Sequence, residues 1–451
     1  MTNANSRDLL AVARSVVDQA GADEEVEAYV GWTRRSEVKV YEGEIESATA
    51  AETMGVGVRV MAEGRPGFAY AGSLDPEVVA DTLVQARDNA SFAAVDRHSA
   101  FVQPDRVEPV EMDHWNDAVL EMSADAKFAM AADLERQVRA ADSRISGIRS
   151  AAYADSAGEM ALASTTGIAV ADRGTGCSVS VSTMAEADGQ TQTGWGFDLG
   201  RDPAKLDIDK AAADAADRAT RLLGATQPAS TTTTVVLEPR QAASFAGVVG
   251  GMLSGTRVAK GRSPFGNFVG EDIASPLFSL RDDPTDQRSY GADRYDGEGL
   301  ASRPTPLVSE GRLDGFVYDG WSASRLLGHS TASAVRSYRS TPSASPRVLI
   351  MTPGDRTLDQ LIADVDDGIL VLSMSGLHSG VNAISGDFSV GIDGLRIRNG
   401  ALAEPLREAT IASTVQRLLT NIRAVGSELE WQPSGTGACA LSIGDVSLSG
   451  S

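Results

Sequence analysis

The chain has 451 residues, more than one ordinary hydrophobic core holds, so at least two domains are expected. Its 62 acidic residues outnumber 40 basic ones, and the resulting formal charge of −22 is spread along the chain, which argues against direct contact with nucleic acid. No apolar run approaches the ~20 residues that cross a bilayer, the opening "MTNANSRDLL" leads to no expectation of a secretory signal, and the two lone cysteines, Cys177 and Cys439, suit a reducing compartment. A cytoplasmic protein without a membrane partner is therefore expected, while a disulfide between the two thiols stays open on arithmetic alone.

In chain order, residues 7–20 place Leu9, Leu10, Val12, Ala13, Val16 and Val17 on one helical face, closed by Gly21. The stretches "VEAYVGW", "SEVKVYEGEIESATAAE" and "GVGVRVMAEGRPGFAYAG" then alternate apolar and polar residues, as an antiparallel meander does. Gly55 and Gly57 belong to this meander and precede no helix, which rules out a nucleotide-binding loop there. Helices are predicted over 75–92 and 115–141, hairpins between Gly147 and Gly200, and a further helix over 209–223. The stretch "ATQPASTTTT" reads as a boundary. The expected architecture is α+β: an N-terminal domain over 1–225 with helices, meander and hairpins, and a C-terminal antiparallel β-rich domain with packed helices over 230–451.

The second half opens on "VVLEPRQAASFAGVVGGMLSG". Val235, Val236 and Leu237 form a predicted strand, Pro239 suits a first helical position, and a helix of small residues follows. Gly247, Gly250 and Gly251 each cost about 0.8–1 kcal/mol against Ala inside a helix, and residues 242–255 contain no acid, base or thiol. Either another backbone packs very close to this face, or the segment is an emptied site. Beyond it lie a loop-rich stretch over 261–312, strand "PRVLIMT", helix 355–365, strand "GILVLSM", hairpin "GDFSVGIDGLRIRNGALAE", helix 407–424 and a closing strand pair in "ACALSIGDVSLSG". The loop-rich stretch is expected to be functional, partner-binding or disordered.

The four histidines, His98, His114, His329 and His378, include no pair three or four residues apart, so a helix-borne H-E-x-x-H zinc pair is excluded. No G-x-S-x-G elbow occurs, and "GWSAS" reads as a Ser-capped helix start. Asp364, Asp366 and Asp367 suit a solvated turn. "ADRYDGEG" places Asp293, Asp296 and Glu298 beside Arg294, either as a clamp for a peptide or cation or as an exposed loop held by Arg–carboxylate pairing. The densest polar cluster is "SGLHSGVNAISGDFSVG", where His378, Ser379, Asn382, Asp387 and Ser389 stand among Gly376, Gly380 and Gly386. It is read either as the loop that touches substrate or as a hydrogen-bonded turn.

Together the meander and the stretches "DRYDGEG", "GRLDGFVYDGWSASRLLG" and "SGVNAISGDFSVGIDGLRIRNG" resemble the TldD/PmbA family, also described as modulators of DNA gyrase. The resemblance runs in order through nearly the whole chain. In the TldD kind of subunit the helix after the 235–237 strand bears H-E-x-x-x-H, which with a downstream cysteine holds the catalytic metal. Those positions fall here at Ala246, Gly247 and Gly251, so the chain is similar to the other kind, PmbA or TldE. The resemblance implies a two-domain dimer in which this chain is the metal-free, non-catalytic subunit of a metalloprotease. It carries no cofactor itself, and a metal, expected to be zinc, sits in a TldD-type partner. Unfolded or linear peptides are the implied substrates, and Gly-rich loops with strand edges can pair with an extended peptide main chain. Two alternatives stay open: a metal-independent homodimeric peptide-processing enzyme using the 375–391 loop with Asp293 or Asp296, and a peptide-binding regulatory protein.

Overall fold

The protein is described by a computed structural model over residues 8–326 and 328–450. The alternating stretches of the first half form one six-stranded antiparallel sheet. Its strands are Glu24–Tyr41, Glu44–Ala62, Arg65–Ala71, Ile145–Ser164, Ala169–Ala187 and Gln190–Gly200, ordered third, second, first, fourth, fifth, sixth. Glu42–Gly43, Glu63–Gly64 and Asp188–Gly189 all carry positive φ at both residues, the pattern of two-residue hairpin turns whose twist matches the strands.

Helices cover one face of this sheet. Leu9–Val17 and Pro76–Phe92 start on the caps Asp8 and Asp75, and their apolar side chains pack with Val26, Ala28, Val30 and Trp32. The single helix expected over 115–141 is two, Asp117–Glu121 and Ala124–Ala141. Met122 is extended (φ −63°, ψ 122°), and the Ser123 hydroxyl accepts from Ala126 N (3.2 Å) to start the second. Helix Ile208–Thr220, capped by Asp207, lies so close to the last strand that a Cβ at Gly194 or Gly196 would stand 2.0 or 1.9 Å from a helix carbonyl.

In the second half, the threonine run read as a boundary already belongs to strand Thr231–Leu237, as β-branched residues favour. This strand pairs in parallel with Asp367–Ser375, which continues through Asp387–Arg398 and Ala401–Thr414. Leu441–Ser449 pairs with both Thr231–Leu237 and Ala401–Thr414, closing a ring of five strands. Val235 and Leu237 enter the main core while Val236 enters a second one, so the continuous apolar run is explained by burial on both faces.

Three sequence expectations change here. The helix expected over 407–424 is the end of strand Ala401–Thr414, then the short helix Val415–Thr420 capped by Thr414, then strand Ile422–Val425. The helix over 355–365 shrinks to Leu358–Ala363, fixed by a Thr357/Gln360 capping box. The closing pair is one strand, because Gly437–Ala438 joins a different sheet beside Leu349–Met351 and Glu430–Trp431. The 261–312 stretch contains the short strands Leu280–Asp282 and Thr305–Ser309 and the start of Arg312–Leu313, and it is anchored by Phe265 and Phe278, each 1% exposed.

The two halves meet at Gly55 and Gly57 of the first sheet. A Cβ at Gly57 would lie 2.2 Å from the carbonyl oxygen of Tyr338, and one at Gly55 would meet its ring. The glycine pair therefore serves close packing between the halves. Beside it, Glu27 accepts hydrogen bonds from Arg59 (3.1 Å) and from the fully buried Arg336 of the second half. Gly57→Ala should lower stability by about 1–3 kcal/mol, because the contact is with backbone that cannot rotate away. Chemical denaturation measures it, and an unchanged midpoint would mean that the junction is looser than described.

Candidate functional site

The small-residue helix spans Pro239–Met252. Glu238, just before it, binds Arg221 (2.8 Å) and Arg218 (3.3 Å) of the preceding helix region instead of capping the helix. Gln241 Nε2 donates to the Leu372 carbonyl at 2.8 Å, and the Phe245 ring meets Phe388 edge-on at 6.2 Å, which packs the helix against the strands flanking the 375–391 loop.

Close packing accounts for Gly250 alone, and it is a side chain, not another backbone, that packs there. A Cβ on Gly250 would stand 2.6 Å from Leu349 Cδ1, so close packing requires hydrogen there. Gly247 and Gly251, one turn apart, have nothing within 4 Å of where a Cβ would stand, and Ala246 is fully buried. Open space thus lies over positions 247 and 251, with no side chain to use it.

The 375–391 loop is built largely on its own hydrogen bonds. Gly376, at φ +77°, starts the short turn Leu377–Gly380, and Ser379 Oγ donates to the Gly376 carbonyl (3.3 Å). Asn382 Oδ1 accepts from Ile384 N (2.9 Å) and Ser385 N (3.3 Å), while Asp387 Oδ2 accepts from Ser385 Oγ (2.7 Å). His378, Ser379, Asn382 and Asp387 are all exposed, as is Ile384. The structure brings these four residues into one loop. Asn382 and Asp387 shape it, which leaves His378 as its exposed ionisable tip.

Asp293 and Asp296 lie elsewhere, at the junction of the halves, where both line a cavity of about 120 Å³ with Tyr29, Met160, Asp172, Arg336 and Arg347. The segment is not the exposed loop that its composition suggests, since Asp296 and Glu298 are each 2% exposed. Asp296 accepts from Glu298 N (2.9 Å), Leu300 N (3.0 Å) and Ala334 N (3.0 Å), which satisfies both oxygens with backbone donors. Burial, reinforced by Asp296, pushes the Glu298 carboxyl well above the usual range, and its Oε2 accepts from Gly320 N (2.7 Å). Asp319, not a serine, caps helix Gly320–Leu326 by accepting from Ser322 N (2.9 Å). Glu27, Arg336 and Arg347 escaped the sequence reading. The available signal was Glu27 itself, a charge between Val26 and Ala28 where three successive residues are buried.

Among the described residues no three His, Cys, Asp or Glu side chains gather as a metal-binding group. His98 Nδ1 lies 3.2 Å from Ser324 Oγ, His114 bridges to Gly174, and His329 and His378 are exposed at separate places. Cys177 and Cys439 are free and buried, and burial pushes both thiols up to about 12, far from the thiolate that binds metal. With Ala246 and Gly251 on the helix, the donor set does not fit a bound metal ion. Among the described residues, no helix is long and apolar enough to cross a membrane.

Gly247→Ala and Gly251→Ala should each stabilise the protein by about 1 kcal/mol, since they gain helix propensity without a clash. Gly250→Leu should cost at least about 1–3 kcal/mol through overpacking against Leu349. Thermal and denaturant unfolding of the three variants checks this, and a tolerated Gly250→Leu would mean that the helix does not pack there.

Three domain descriptions of one family match the chain in order: PmbA/TldA metallopeptidase domain 1 over 26–90, the central domain over 117–223 and the C-terminal domain over 230–450. Metalloprotease PmbA of Escherichia coli O157:H7 is 23% identical over 427 residues, covering 93% of this chain and 91% of that protein. A metalloprotease TldD homolog of Haemophilus influenzae is 27% identical over 429 residues, covering 88% and 86%. The crystal structure of TldE from Thermococcus kodakarensis superposes with a TM-score of 0.87 at 23% identity, over 98% of this chain and 99% of that one.

Proposed function

Since this chain belongs to the PmbA/TldD metallopeptidase family, we propose that it is the metal-free subunit of a TldD/TldE-type peptidase, which binds unfolded or linear peptides while a TldD-type partner supplies hydrolysis. One observation carries the reading: the helix that follows strand Thr231–Leu237 presents Ala246, Gly247 and Gly251 where the family's catalytic subunit has ligands and base. Methyl groups and hydrogens there can neither coordinate an ion nor move a proton. The chain's own part is then to hold substrate. Support comes from the exposed 375–391 loop, which is flanked by the strands that this helix packs against through Gln241 and Phe245.

Mixing this chain with a TldD-type subunit should give a stable complex that cleaves an unfolded peptide, with little or no cleavage by this chain alone. Efficient cleavage by the isolated chain in excess chelator would instead support a metal-independent homodimeric enzyme. Within an active complex, His378→Ala should weaken peptide binding at least about tenfold without shifting the melting temperature, because the side chain is exposed. Unaltered binding by that variant would remove the loop from the substrate path.

A further inference from the structure

The junction cavity is walled by both halves and holds unspent hydrogen-bonding capacity of both signs. Tyr29, Met160 and Asp172 come from the first sheet, and Asp293, Tyr295, Arg336 and Arg347 from the second half. Arg336, whose side chain is 0% exposed, binds Glu27 through Nη1 and lies 5.0 Å over the Tyr29 ring, but its Nε and Nη2 have no hydrogen-bond partner. Arg347 spends Nη1 on the Tyr295 carbonyl (2.8 Å) and Nη2 on Ser302 Oγ (2.7 Å) and the Ala332 carbonyl (3.0 Å), and its Nε is likewise buried and unpartnered. Buried guanidinium donors without acceptors are costly, and native interiors rarely leave them so.

Facing them is the one cavity carboxylate not tied down by the backbone. Asp296 is consumed by three amides and Asp172 by Arg294, at 3.3 Å from Nε, whereas among the described residues no hydrogen-bond donor reaches the Asp293 side chain. Asp293 keeps contact with solvent yet lies at the bottom of a concave surface. The surrounding protein bulk raises its carboxyl to about 6, with Asp172 adding to the rise and Arg347 and Arg201 opposing it. Tyr29 and Arg336 of the opposite wall, and His114 beside Asp172 and Arg201, complete the charged and titratable groups around it.

A lone cation would be repelled by the arginines and a lone anion by the aspartates. A neutral group with one donor and one acceptor meets neither objection, and the peptide bond is such a group. We propose that this cavity receives one peptide group of an extended substrate, its N–H donating to the Asp293 carboxylate and its C=O accepting from Arg336 or Arg347. Recognition of this kind reads the main chain, so it selects extended peptides with little regard to sequence. It rests on the reading of the chain as a peptide-binding subunit, but it requires neither a partner nor hydrolysis.

Calorimetric titration of the isolated full chain with N-acetyl-tetraalanine amide, a peptide without charges, tests it directly. Affinity should rise about tenfold between pH 5 and pH 7 as Asp293 ionises and becomes the better acceptor. Asp293→Asn should still fold and should flatten that profile. Met160→Trp, which fills the cavity from the sheet side, should abolish binding at an unchanged melting temperature. Absence of binding by the wild-type chain, a pH profile shared by wild type and Asp293→Asn, or full affinity in a folded Met160→Trp variant would each overturn the proposal. None of these results bears on whether the mixed complex cleaves peptides, so the two readings fail separately.

Discussion

The halves of this molecule are held in register by a buried ion pair. Arg336 is fully buried and Glu27 nearly so, and two charges in such a place cost several kcal/mol each in lost hydration, which only well-made partners offset. Breaking the pair by removing one side would leave the other uncompensated, at about 3–5 kcal/mol. The surrounding structure is accordingly over-determined: Arg59 also binds Glu27, and Gly55 and Gly57 let the backbone of Tyr338 seat directly on the sheet. The cavity between the halves, with its unspent donors and its raised Asp293, exists because this contact fixes both walls.

The second organising feature is the helix Pro239–Met252, which is packed into the core of the second half without an acid, base or thiol between residues 242 and 252. Its inner face is ordinary core, through Ala242, Phe245, Ala246 and Val249, and Gly250 is dictated by Leu349. The outer positions 247 and 251 carry no such obligation. Retaining glycine there forgoes about 1 kcal/mol of helix stability at each position, a loss that packing does not explain and that room for a neighbouring chain would.

Much of the fold was legible in the sequence because local signals agreed with tertiary ones. Asp75-Pro76, the alternation of the meander and the Gly-terminated turns each point to one structure, and the α+β class follows from their order. The misreadings have physical causes. In "REATIASTVQRLLTNIRA" the residues Val415, Leu418, Leu419 and Ile422 have helical spacing, and extending it backward over Ala409 and Ile411 ignored that these two are also spaced for a strand. Between 117 and 141 nothing in the apolar period marks Met122 as extended, although Ser123 is a serviceable cap. The site was less legible. "DRYDGEG" is polar enough to pass for a surface loop, yet Asp296 and Glu298 are buried and accept from the amides of Ala334 and Gly320, outside the segment. Arg336 matters through Glu27, 309 residues away, and Arg347 through Tyr295, Ser302 and Ala332 in other loops, which no local period encodes.

The central claim, that this chain contributes a peptide-holding surface and no metal centre, is met most directly by elemental analysis of the purified chain after equilibration with zinc and removal of the excess. A polypeptide with alanine and glycine at 246, 247 and 251, and with both thiols buried, should retain far less than one zinc per chain. One tightly held zinc per chain, accompanied by peptidase activity that disappears when it is stripped, would contradict that claim outright.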